Sequence, residues 1–210
     1  MIDRRSLLLS ASAGAAALAL PAFAQSPSPA GSTLTPLLDQ FFHERMRLRP
    51  ESATQLGLDK GPNADLKAKL SDQSPAGLAA AKAMTQDQLK RLKAVDRAGL
   101  SPGDRVGFDA VLYSLDSSAA VQAFDFGGAA FGPSPYVVSQ LTGAYQSVPD
   151  FLDTKHTIET AADAEAYLSR MAAFAQQVDD NTDRMKHDAA LGIAPPDFML
   201  DLTLVQLAKT

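Results

Sequence analysis

No cysteine occurs in the 210 residues, which removes disulfides, thiolate metal ligands, a cysteine nucleophile and lipid attachment at a lipobox. Histidine is scarce: any imidazole metal centre must draw on His43, His156 and His187. Basic charge is also short, with 19 Lys and Arg against 24 Asp and Glu, so nucleic acid is not a natural partner. No G-x-S-x-G nucleophile elbow and no phosphate loop is present. The longest apolar stretch, Ser6 to Leu20, is too short to span a bilayer comfortably.

That stretch belongs to an expected export signal over residues 1–24. Arg4 and Arg5 form its charged start, and Pro21 leads into the small-residue site Ala22-Phe23-Ala24, with cleavage after Ala24. The arginine pair resembles a twin-arginine signal, although Asp3, Leu7 and Leu9 depart from the usual residues; an ordinary secretory signal is the alternative. Removing residues 1–24 takes two arginines and one aspartate from the totals, leaving 17 basic and 23 acidic side chains and a net charge of −6. The expected product is periplasmic or secreted, with no membrane anchor after cleavage. Residues 25–34, rich in Ser, Pro and Gly, read as a flexible linker, and residues 35–210 as one domain.

Within that domain the punctuation is helical. Thr35-Pro36, Ser74-Pro75 and Ser101-Pro102 each place an N-cap residue before a proline at the first helical position. Leu37, Leu38, Phe41, Phe42, Arg45 and Leu48 follow at three-to-four spacing up to Pro50. A short turn is expected from Pro50 to Asn63, a longer helix from Ser74 to about Ala98, and another carrying Val106, Phe108, Val111, Leu112 and Leu115. Residues 124–160, rich in Gly, Pro and aromatics, read as a long loop with a short helix at Pro135 to about Leu141. Thr160 and Asp163 make an acidic capping box for a long helix whose stripe is Tyr167, Met171, Phe174, Val178 and Met185, closed by Gly192. Beyond Pro195-Pro196 a last amphipathic helix carries Phe198, Met199, Leu202, Val205 and Leu207. The fold class is therefore all-α, a helical array of about five to seven helices with one long Gly/Pro/aromatic-rich segment.

Candidate chemistry is thin. His43-Glu44 begins an H-E-x-x-H zinc helix, but the position of the second histidine holds Arg47, whose fixed charge repels a cation. His156 reads as a loop residue near acids and His187 as a residue in the last turns of the long helix. Asp179, Asp180 and Asp183 read as a solvated face, with Asp180 and Arg184 as an i,i+4 ion pair. The run Asp125-Phe126-Gly127-Gly128 matches a kinase motif without the surrounding framework. No catalytic residue, no metal ligand and no cofactor is expected in this chain.

The opening "RPESATQLGLD" and the long run from "PYVVSQLTGAYQSVPDFLDTKHTIET" to "APPDFMLD" resemble the N-terminal half of a bacterial family known as domain of unknown function 885. The resemblance implies a mostly helical protein much longer than this chain, related to gluzincin-type zinc metallopeptidases, with its metal motif in a C-terminal catalytic half. On that reading residues 35–210 are a truncated N-terminal portion, zinc belongs to a full-length parent, and the missing half is the partner. A free-standing periplasmic binding protein without catalysis is the alternative. The side chains expected nearest a peptide substrate are Tyr136, Gln140, Tyr145 and Gln146, since rings cover apolar side chains and amides bond a peptide backbone. The competing expectation is that these rings pack between helices.

Overall fold

A computed structural model describes residues 31–128 and 134–208. The expected export signal, with Arg4, Arg5, Ala22 and Ala24, lies outside the described residues, as do linker residues 25–30. The described residues form seven α-helices: α1 (Gly31–Leu48), α2 (Pro50–Gln55), α3 (Pro75–Lys93), α4 (Pro102–Val121), α5 (Ala144–Thr154), α6 (Ala161–Ala190) and α7 (Asp197–Leu207). Two 3₁₀ segments, Gly61–Ala68 and Arg97–Gly99, complete the set. The all-α expectation holds; among the described residues there is no sheet, only an isolated bridge between Ser139 and Thr142.

Serine caps open two helices as their sequences dictate. Ser74 Oγ accepts from Gly77 N at 3.2 Å and Ser101 Oγ from Asp104 N at 3.1 Å. Thr160 and Asp163 form the reciprocal box, each side chain accepting from the other's backbone N–H. The α1 start differs from expectation. Thr35 is not its cap, because the helix begins at Gly31 and contains Pro36. Leu34 lies seven residues before Phe41 on the same face, and both are buried, so apolar burial draws the turn before Pro36 into the helix. Residues 31–34 are thus helix, not linker.

Pro50 forces Arg49 out of the helical region, ending α1 and opening the expected second start as α2. Two further boundaries moved. Helix α3 stops at Lys93 rather than Ala98, because the Asp96 carboxylate accepts from Ala98 N and starts a separate 3₁₀ turn. No helix forms at 135–141; there Ser139 and Thr142 pair through backbone and hydroxyls. The helix of that region is α5, whose Ala144, Tyr145, Val148, Phe151 and Leu152 form one buried stripe despite Pro149.

Two apolar cores result. Leu34 and Phe41 of α1, Leu92 of α3, and Phe108 and Leu115 of α4 pack as a three-helix unit with Leu100. Val148, Phe151 and Leu152 of α5 pack against Tyr167 and Phe174 of α6. Met46, Ala53 and Leu66 join the two through α2 and the first 3₁₀ segment.

Helix α6 splits the expected stripe. Tyr167 and Phe174 pack against α5 as expected, but Met171, Val178 and Met185 are substantially exposed, and the buried positions are Ala166, Arg170, Gln177, Asn181 and Asp188. Its neighbours are loop backbones needing hydrogen-bond partners, so polar side chains are the ones buried. Helix α7 forms where expected; Phe198, Leu200, Leu202, Leu204, Val205 and Leu207 are exposed to varying degrees, and Thr203 alone is buried.

Candidate functional site

The inward face of α6 works as a row of clamps on main-chain groups. Arg170 Nε donates to Lys69 O at 2.9 Å and Nη2 to Leu66 O at 3.1 Å, while Gln177 Nε2 donates to Ser71 O at 2.5 Å. Asn181 Oδ1 accepts from Ala144 N at 2.8 Å, and Asp188 Oδ2 accepts from Gly127 N at 2.8 Å. One helix of about 45 Å at 1.5 Å per residue thereby positions the segment before α3, the start of α5 and the glycine-rich turn.

At the N-terminal end of this row Arg170 is fully buried. Besides the two carbonyls it donates from Nη2 to Thr54 Oγ1 at 2.7 Å and from Nη1 to His156 Nδ1 at 2.8 Å, and its guanidinium lies 4.8 Å from the centroid of the Phe151 ring. Burial lowers its pKa to about 10. A cation donating to Nδ1 fixes the tautomer, so Nε2–H of His156 donates to Asp163 O at 3.0 Å. Burial pushes the imidazole pKa below its ordinary value, with the Arg170 charge acting in the same direction. Asp163 is held well below the usual carboxylate range, first by its Lys67 partner and then by Thr160.

At the opposite end, Asp188 is buried and also meets Arg184 Nε at 3.3 Å and His187 Nδ1 at 3.2 Å. Gly127 has φ +69°, and a Cβ there would lie 2.3 Å from Ser134 O, so only glycine fits. The Asp125-Phe126-Gly127-Gly128 run is thus a structural turn held by α6.

Between these ends a groove of about 530 Å³ opens between α6 and α7. Val178, Met185 and Ala189 line it from α6, and Leu200, Leu204 and Leu207 from α7. Tyr145 and Val138 form its third side. The Tyr145 hydroxyl donates to Ser139 O at 2.8 Å and lies 3.4 Å from Gln206 Oε1; burial raises its pKa. Asn181 lies in the same lining, 8% exposed.

Of the four residues expected near substrate, Tyr145 reaches this groove. Tyr136, Gln140 and Gln146 are half-buried but not among its lining residues, and the Gln140 Oε1 atom is buried without a hydrogen-bond partner among the described residues. Asn181 and the α7 leucines were missed. Asn181 was hidden because the stripe of α6 was sought among apolar residues.

The histidines have other occupations. Glu44, beside exposed His43, accepts from Arg91 Nη2 at 2.5 Å and Gln88 Nε2 at 2.9 Å; the Arg91 bond lowers its pKa. Arg47 pairs with Asp65 at 3.3 Å. His156 is a loop residue beside Asp163, as expected, and is buried as a linker between Arg170 and the Asp163 carbonyl. His187 lies in the last turn of α6, as expected. The expected Asp180–Arg184 pair gives way to Arg184 with Asp188 and Asp125, and Asp180 instead accepts from Gln176. Among the described residues no group of three or more His, Asp or Glu could hold a metal. No helix among the described residues is long and apolar enough to cross a membrane.

The fold is all-α, with a groove between α6 and α7. The chain belongs to the family described as bacterial protein of unknown function (DUF885), which matches residues 50–210. Neither a curated protein nor a solved structure matches it.

Proposed function

We propose that this chain is the substrate-facing helical portion of an exported, zinc-dependent peptidase whose metal-binding half lies outside these 210 residues. The observation that carries the reading is the groove, which sets an apolar wall, the Tyr145 ring and the Asn181 amide side by side. Those are the groups an extended peptide needs, an apolar surface for side chains and hydrogen-bonding groups for its backbone. The resemblance to gluzincin relatives supplies the zinc and the peptide-bond hydrolysis. Within the chain, His156 has both ring nitrogens engaged, which supports a role in holding the fold and leaves the chemistry to the other half. Arg4 and Arg5 would direct export of the whole.

The coding sequence past codon 210 tests this. An in-frame continuation with a His-Glu metal motif supports the reading; a stop codon there overturns it in favour of a free-standing helical binding protein, which the same groove would serve. Purified residues 25–210, dialysed and analysed for metal, are expected to hold no stoichiometric zinc and to hydrolyse no peptide. One tightly held zinc per chain would contradict the division of labour.

A further inference from the structure

We propose that the groove between α6 and α7 is a subsite for one large aliphatic or aromatic side chain of an extended peptide, with Asn181 Nδ2 donating to a carbonyl of that peptide's backbone; the proposal rests on the peptide reading above. The volume of about 530 Å³ falls within the usual range for ligand pockets, about 300–1,000 Å³, so a large side chain fits together with the adjoining peptide backbone. Its walls are aliphatic on both helices.

The polar groups in the lining decide the rest. Thr182 Oγ1 donates to Val178 O at 2.9 Å and Thr203 Oγ1 to Met199 O at 2.7 Å, and the Tyr145 hydroxyl donates to Ser139 O. Each of these donors is already used within the chain. Asn181 is different: its Oδ1 holds the Ala144 N–H, while its Nδ2 has no hydrogen-bond partner among the described residues and is not one of the fully buried unpartnered atoms, so it keeps contact with solvent although the residue is only 8% exposed. An accessible, unused amide donor on the wall of a groove can be completed by an acceptor arriving with the ligand.

That acceptor is neutral. Lys186, the one cation in the lining, pairs with Asp183 at 2.9 Å, and both are exposed at the rim. A fatty acid would bring a carboxylate with no unpaired cation to receive it. A peptide brings an apolar side chain and an uncharged carbonyl on the same residue, which matches the walls and the amide together.

The chain contains no tryptophan, so a tryptophan placed in the ligand reports on the groove without background. Titrating the purified chain with acetyl-Ala-Trp-Ala-amide is expected to give a saturable blue shift in emission. The leucine and phenylalanine peptides should displace it at concentrations at least tenfold lower than the serine or aspartate peptides. Asn181→Asp keeps the acceptor for Ala144 N–H and removes the donor; binding is expected to weaken about tenfold or more. Leu204→Glu, on the exposed wall of α7, charges the groove without touching the core and should abolish the blue shift, with the melting temperature checking the fold of both variants. Equal competition by all the peptides, or unchanged binding by folded Asn181→Asp and Leu204→Glu chains, would overturn the subsite while leaving peptide binding in place. No binding by any peptide at millimolar concentration would overturn both readings. Displacement by decanoate but not by the leucine peptide would replace the peptide with an amphiphile.

Discussion

Replacing Arg170 with methionine should cost more than any other single change in the described residues. Methionine keeps the apolar stem against Phe151 but withdraws every donor. Lys69 O, Thr54 Oγ1 and His156 Nδ1 then lose their guanidinium partner, and Leu66 O is left with the Lys69 N–H alone. A buried acceptor left unpaired costs about 1–3 kcal/mol. Partial relaxation and the recovered desolvation of the guanidinium, visible in its lowered pKa, reduce the sum. The net expectation is about 3–5 kcal/mol, the usual cost of removing one partner from a buried charged cluster. At about 2–4 °C per kcal/mol for a domain of this size, the melting temperature should fall by about 6–20 °C in circular dichroism at neutral pH. Arg170→Lys keeps the charge but not the planar fork, so it should fall between the two. A methionine variant melting within about 3 °C of the parent would refute the reasoning, because the four acceptors would then have found other partners at no cost.

The same cluster predicts acid sensitivity. Unfolded, His156 titrates near 6.5, whereas burial holds its folded pKa lower; stability is full above 6.5 and is lost as pH falls through the folded pKa, by up to about 1.4 kcal/mol per pH unit. His156→Gln, whose side-chain oxygen still accepts from Arg170, should flatten that dependence in urea titrations from pH 7.5 to 5; an unchanged slope assigns the titration to another group. Gly127→Ala forces a side chain into a left-handed backbone against Ser134 O and should destabilise by about 1–3 kcal/mol, read as a lower urea midpoint, with the parent's midpoint refuting the turn's role.

Local chemistry made part of the fold legible. Three hydroxyl caps, at Ser74, Ser101 and Thr160, bond as their sequences require, and Gly192, at φ +77°, closes α6 where expected. The failures share a cause. Arg170, Gln177, Asn181 and Asp188 recur at spacings of four and seven, a helical period, yet a search for apolar periodicity passes over them. Helix α5 was hidden in the opposite way, since Gly143 and Pro149 mark a loop to local rules while the stripe from Ala144 to Leu152 obeys the helical period. Tyr145 was singled out from its residue type and lines the groove; that groove depends on α7, more than fifty residues away in sequence, and no local pattern links the two.

Because α6 grips neighbouring segments by their peptide groups, what it reads is the path of the chain and not the identity of its side chains. The side chain at Lys69 is exposed and can be exchanged for most others without breaking the attachment, since every residue offers the same C=O. Ser71, whose hydroxyl also bonds Glu51, and Ala144, which is buried, are held by their side chains as well. A library that randomises position 69 but spares Arg170, Gln177, Asn181 and Asp188 should keep folding.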